Sequence, residues 1–142
     1  MKIKHIKAYM ETAKVWAKCS QSTRLQVGAC AMKDGGIIGT GYNGMPSGMN
    51  NCCEDENGNT KPEVIHAEDN ALKKILRSNI SSIGATMFIT HSPCLQCAIK
   101  MVDAGISVVI YEHPYRDKSG IEWLTRNGVS VKLYLDSILE LE

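Results

Sequence analysis

Ile3, Ile6, Met10, Ala13 and Ala17 recur at spacings of three and four, which sets them on one face of a helix. The pattern stops at about Lys18, where Cys19-Ser20-Gln21-Ser22-Thr23 is polar and aperiodic. Two apolar runs follow, Val27 to Met32 and Ile37 to Tyr42, around Lys33-Asp34-Gly35-Gly36. Asp-Gly between such runs predicts a hairpin. Residues 43–63 carry Gly, Pro, Asn and the acidic Glu54-Asp55-Glu56 without periodicity. A structureless stretch of that length inside a compact domain is expected to be functional or mobile.

Ile65, Ala71, Leu72, Ile75 and Leu76 then mark a second helix. Thr86 to Thr90 reads as a strand that runs straight into Pro93-Cys94, and Ala98, Met101, Val102 with the closing Gly105 as a third helix. Ser107 to Tyr111 is a short apolar strand of the buried kind. A loop over 112–118, a helix over 120–126 closed by Asn127-Gly128, and a last strand from Val129 to Leu135 follow. The tail from Asp136 reads as a short helical turn. The expected order, α-β-β-α-β-α-β-α-β, describes one five-stranded sheet with helices over its faces, an α/β fold.

Composition narrows this only slightly. The chain has 142 residues, 44% hydrophobic and 22% charged, with a formal net charge of +1, the profile of one ordinary globular domain. Nothing in that balance forms a basic footprint for nucleic acid. No stretch reaches the roughly 20 apolar residues needed to cross a bilayer. The basic start, Met1 to Lys7, is not followed by the apolar core of a signal peptide. A cytoplasmic protein is therefore expected, with its six cysteines acting as metal ligands or buried thiols and not as disulfides.

The chemistry concentrates in His66-Ala67-Glu68 and Pro93-Cys94-Leu95-Gln96-Cys97. One imidazole and two thiols suit a borderline-soft divalent ion, and zinc is the usual occupant of such a set. Cys94 and Cys97, three apart at a helix start, lie on one face, where the positive helix end favours thiolate. Glu68 is the wrong group for a closed structural site but suits a proton shuttle; a His-x-Glu followed by Pro-Cys-x-x-Cys is the signature of zinc nucleobase deaminases. On a regular helix two residues two apart diverge by about 200°. His66 is therefore expected at the very start of its helix, with Glu68 one step inside. A structural zinc or a redox Cys-x-x-Cys is the competing reading. The first lacks an obvious fourth ligand, since Cys52-Cys53 is poor chelate geometry, and the second leaves the His-x-Glu idle.

The residues Gln26-Val27-Gly28-Ala29, Gly41-Tyr42-Asn43-Gly44-Met45-Pro46, His66 to Ala71, Pro93 to Cys97 and Ala104-Gly105-Ile106 occur in order. Together they resemble the deoxycytidylate (dCMP) deaminases of the cytidine deaminase-like superfamily, over nearly the whole chain. The resemblance implies a three-layer α-β-α fold around a mixed five-stranded sheet, and hydrolysis of dCMP to dUMP and ammonia. It assigns His66, Cys94 and Cys97 to one catalytic Zn2+ and Glu68 to acid/base catalysis. It implies substrate contacts from Arg24, Asn43, Ala67, Tyr115 and Arg116, and the arginines also suit a phosphate chemically.

The resemblance further implies a homohexamer, activated by dCTP and inhibited by dTTP near Gly41, Tyr42, Asn43 and Gly44, with Mg2+ accompanying the triphosphate. Gly39, Gly41 and Gly44 would let backbone approach such a ligand closely. Some similar enzymes hold a second, structural zinc through two cysteines and two histidines. Cys19 and Cys52 or Cys53 resemble the cysteine half, but residues 56–64 contain no histidine, so one zinc per chain is expected. The rival functions are a deaminase of the same fold acting on a free nucleoside, guanine or tRNA adenosine, and a non-catalytic triphosphate-binding module with a structural zinc. Near-neutral charge speaks against tRNA, and Arg24 with Arg116 against a free nucleoside.

Overall fold

A computed structural model describes residues 1–142. A single sheet runs through the molecule in the order β2-β1-β3-β4-β5. It comprises β1 (Gly28–Lys33), β2 (Gly36–Tyr42), β3 (Thr86–His91), β4 (Val108–His113) and β5 (Ser130–Leu133). β1 pairs antiparallel with both β2 and β3, while β3–β4 and β4–β5 are parallel. The sheet is thus mixed, as the resemblance implies. Asp34 and Gly35 close the β1–β2 hairpin with φ of 52° and 79°, the left-handed pair that a two-residue turn of this kind requires.

Helices cover both faces. α1 (Ile3–Ala17) and the short α5 (Tyr134–Leu139) pack Ile6, Met10, Ala13 and Ile138 against Cys30, Met32, Phe88 and Ile110. On the other face lie α2 (Ala67–Leu76), α3 (Leu95–Asp103) and α4 (Ser119–Arg126). There Ala67, Ala71, Ile75, Ala98, Met101 and Leu124 meet Ala29, Ala31, Met87, Ile89 and Val109. Because both faces are covered, β1 and β3 are buried along almost their whole length, which explains their continuous apolar runs. No helix is long and apolar enough to cross a membrane.

Three expectations change. The last strand ends at Leu133, where its pairing with Tyr111 of β4 ends, and Tyr134 and Leu135 open α5. The alternation of Val129, Val131, Leu133 and Leu135 outlasts the partner strand, so periodicity alone overextends it. Leu76 does not pack on the core side of α2 but is 84% exposed. The 43–63 segment, although irregular, is pinned. Gly44 and Ile65 exchange backbone hydrogen bonds at 3.1 and 2.8 Å, and Lys61 N–H donates to the Cys53 carbonyl at 2.7 Å.

The glycines of β2 have a packing role. A methyl group on Gly41 would sit 2.7 Å from the Ala71 nitrogen and closer still to the Ala67 carbonyl. On Gly39 it would meet the Ala71 carbonyl at 2.7 Å. Both positions let α2 lie directly on the sheet.

Candidate active site

α2 and α3 deliver their N-termini to the same place. His66 is the N-cap of α2 with extended backbone, φ −72° and ψ 156°. Its ring leaves the chain before helical geometry begins, whereas Glu68 is the second helical residue. This resolves the angular conflict between residues two apart. Cys94 caps α3 in the same way, φ −72° and ψ 168°, and its sulfur accepts the Cys97 N–H at 3.5 Å. Asn70 Nδ2 donates to the Tyr42 carbonyl at 2.8 Å, tying the first turn of α2 to the end of β2. Gly120 in α4 lies so close to the Pro93 and Cys94 backbone that no Cβ would fit.

The result is a cluster in which one ligand atom from each of His66, Cys94 and Cys97 lies within 4.8 Å of the others. His66 Nδ1 is 3.2 Å from Cys97 Sγ and 3.6 Å from Cys94 Sγ. Hydrogen bonds from Cys97 and His66 hold the Cys94 thiol down to about 4. Its thiolate partner and burial push Cys97 upward. The hydrogen bond to Cys94 raises His66 against the opposing effect of burial. Two thiols and an imidazole within reach of one ion fit zinc, whose +2 charge two thiolates and a neutral ring neutralise. Glu68, with 4% of its surface exposed, has its carboxyl pushed up to about 7 by burial. A divalent cation beside it would draw that value back down.

In front of the cluster opens a cavity of about 460 Å³, ample for one small ligand. Its wall includes His66, Glu68 and Cys94, together with Arg24, Asn43, Ala67 and Tyr115. Cys97 lies behind, buried. The Arg24 guanidinium makes no ion pair with any carboxylate. Asn43 Oδ1 accepts the Val27 N–H and Nδ2 donates to the Leu25 carbonyl, both at 2.8 Å. Its amide thus holds the wall and keeps one amide hydrogen unspent.

Arg116 is not brought in. It is exposed on the 114–118 loop and is not among the residues that line the cavity. Gly41, Tyr42 and Gly44 also lie outside the wall. Gly41 is buried under α2, and the Tyr42 ring stacks on Trp16 with centroids 6.2 Å apart.

Ser22, Thr60, His91 and Ser92 line the cavity without having been singled out as pocket residues. His91 stacks on Tyr115 at 5.7 Å, its Nδ1 lies 2.9 Å from Thr90 Oγ1, and Ser92 Oγ accepts the Tyr115 N–H at 2.9 Å. Their signal was position: both stand immediately before Pro93-Cys94, on a strand that ends at the cluster.

A His-Cys-Cys cluster with a buried carboxyl, built on two helix N-termini over a mixed sheet, defines a metal-site α/β protein. Residues 3–113 match the family described as "Cytidine and deoxycytidylate deaminase zinc-binding region", and the chain belongs to this family. Among relatives, it is 32% identical to the deoxycytidylate deaminase of Saccharomyces cerevisiae over 136 residues, 89% of this chain and 43% of the yeast protein. It is 34% identical to the deoxycytidylate deaminase of Enterobacteria phage T4, covering 75% of this chain and 77% of that one. Against the cellular relatives the chain spans about half of their length. The crystal structure of a dCMP deaminase from cyanophage S-TIM5, in complex with dCMP and dUMP, superposes with a TM-score of 0.92 at 44% identity. The match covers 94% of this chain and 98% of that one.

Proposed function

We propose that this chain hydrolyses dCMP to dUMP and ammonia, with zinc held by His66, Cys94 and Cys97. The observation that carries the reading is the buried Glu68 carboxyl beside the His-Cys-Cys cluster, in one cavity with the unpaired Arg24 guanidinium. The kinship with deoxycytidylate deaminases supports the choice of substrate. Zinc in this set supplies a Lewis acid that activates water for attack on the ring carbon bearing the amino group.

The chain's own groups do the rest. Glu68, shielded from solvent, takes one proton from the attacking water and passes it to the ring nitrogen, then takes the second from the hydroxyl so formed on the ring carbon and passes it to the amine, which leaves as ammonia. Arg24 pairs with the 5′-phosphate in the bidentate manner open to a guanidinium. Tyr115, backed by His91, forms an aromatic wall. Ala67, fully buried at the first position of α2, and the spare amide hydrogen of Asn43 complete the substrate contacts. The cytoplasm suits six free thiols.

The reading extends to control. dCTP would activate and dTTP inhibit, Mg2+ accompanying the triphosphate, in a homohexamer, with Gly41, Tyr42, Asn43 and Gly44 as the strip that senses it. Family likeness supports this part; Gly44 is the one glycine of the strip with room beside it, its nearest neighbour being the Tyr42 ring at 3.7 Å.

Glu68→Ala tests the core of the proposal. Zinc content and melting behaviour should match wild type while dCMP turnover falls by roughly the 10²–10⁴-fold that acid/base groups contribute, or more. Loss of the metal or of the fold in this variant would make Glu68 structural and the mechanism wrong.

A further inference from the structure

Arg24 is gripped from both sides by side chains of the 43–63 segment. On its N-terminal side Glu54 accepts Ser22 Oγ–H at 2.8 Å, Thr23 N–H at 3.1 Å and Thr23 Oγ1–H at 3.0 Å. On its C-terminal side Asn43 holds the backbone of Leu25 and Val27. Glu54 is buried, with 8% of its surface exposed, yet no cation pairs with it. A buried carboxylate without a counter-ion persists only when hydrogen bonds replace its hydration.

Here hydroxyl and backbone donors do so. The Ser22 hydroxyl, the Thr23 N–H and hydroxyl and the Arg24 N–H together hold the Glu54 carboxyl below its ordinary value. A cation was at hand, since Arg24 is the next residue in the clamped turn, but it makes no ion pair and instead is one of the residues lining the cavity. Glu54 also bridges through its backbone to Thr60, another residue of that wall. The carboxylate therefore joins the turn before β1 to the segment that closes the cavity.

We propose that Glu54 is a positioning residue: by fixing the backbone of Ser22 to Arg24 it sets the Arg24 guanidinium at the cavity and so determines affinity for the nucleotide's 5′-phosphate. The inference rests on the reading of Arg24 as the phosphate ligand. It distinguishes the phosphate arm from the chemistry at Glu68, because nothing in the clamp touches the His-Cys-Cys cluster.

The test is steady-state kinetics on zinc-loaded wild type, Glu54→Gln and Thr23→Val, with dUMP and deoxycytidine as competitive inhibitors with and without a phosphate. Replacing a charged acceptor in Glu54→Gln should raise KM for dCMP and Ki for dUMP together by about tenfold. Ki for deoxycytidine should not move, and kcat should stay within about twofold. Thr23→Val, which removes one clamp donor and is the variant that decides if Glu54→Gln does not fold, should raise KM about threefold. In an Arg24→Ala background Glu54→Gln should add less than about twofold, because the two act through one contact.

Unchanged KM in the folded variants would overturn the inference. So would a parallel rise in Ki for deoxycytidine, or full additivity with Arg24→Ala, each of which marks a general structural effect. Wild-type protein that turns over dCMP with KM insensitive to the clamp sinks this inference alone. Wild type silent on dCMP withdraws the functional reading, and the inference with it.

Discussion

Replacing Gly41 by alanine tests the link between sheet packing and the metal cluster. The new methyl would lie 2.7 Å from the Ala71 nitrogen, nearer still to the Ala67 carbonyl and 3.0 Å from the Asn70 Cβ. Two of these are backbone atoms of α2, so no rotamer change can relieve them. The helix must lift by roughly 1 Å to restore ordinary contact along the turn that carries Glu68, just after His66. Overpacking of this kind costs about 1–3 kcal/mol, and a clash with two backbone atoms belongs at the upper end. For a chain of this size that lowers the melting temperature by roughly 6–12 °C. Displacing a catalytic group by about 1 Å can cost 10²-fold in rate, so turnover should fall well beyond the loss of folded protein. The assay is a thermal melt of zinc-loaded protein beside dCMP turnover at a temperature where both proteins are folded. Gly36→Ala serves as control, since a methyl there meets only the Lys33 carbonyl at 3.9 Å and should change stability by no more than about 0.5 kcal/mol. Gly41→Ala melting and reacting like Gly36→Ala would refute the claim that Gly41 sets the seat of α2.

Cys97→Ser should lose most of its zinc on dialysis, because a buried thiolate ligand is exchanged for a poorly acidic hydroxyl; metal analysis against wild type checks this. Arg24→Ala should raise KM for dCMP by roughly 10–100-fold, the loss of a charge-assisted contact, while inhibition by deoxycytidine stays as it was. Glu54 also predicts an acid limit to stability. Its folded carboxyl lies below the ordinary value, so its contribution is complete above the unfolded glutamate pKa of about 4.3 and disappears as pH falls through the folded value. Melting temperatures of wild type and Glu54→Gln should differ at neutral pH and converge in acid. A gap that stays constant with pH would contradict the clamp.

Much of the fold is legible in residue periodicity because both sheet faces are covered. α1 announces itself through Ile3, Ile6, Met10, Ala13 and Ala17, and the hairpin through Asp34-Gly35. α5 is legible only in part: the tail from Asp136 reads as a helical turn, but a helix of six residues has too few turns to show where it starts. The metal cluster is readable because its groups lie in two short motifs at helix starts, where spacing fixes geometry. Glu54 is not, since within Glu54-Asp55-Glu56 it looks like a solvated acidic run. Only tertiary contact with Ser22 and Thr23, far away in sequence, separates it from its exposed neighbours. The close seat of α2 on Gly39 and Gly41 is likewise not legible in sequence, since a glycine-rich strand does not say which element approaches it.

The most direct measurement is turnover by zinc-loaded protein on dCMP, CMP, deoxycytidine and guanine side by side, followed by ultraviolet absorbance, each with and without dCTP. Rapid loss of the cytosine band with dCMP, and little with deoxycytidine, is the expected result. Silence on dCMP with zinc bound, with and without dCTP, or activity confined to the free nucleoside or base, would contradict a phosphate-anchored dCMP deaminase.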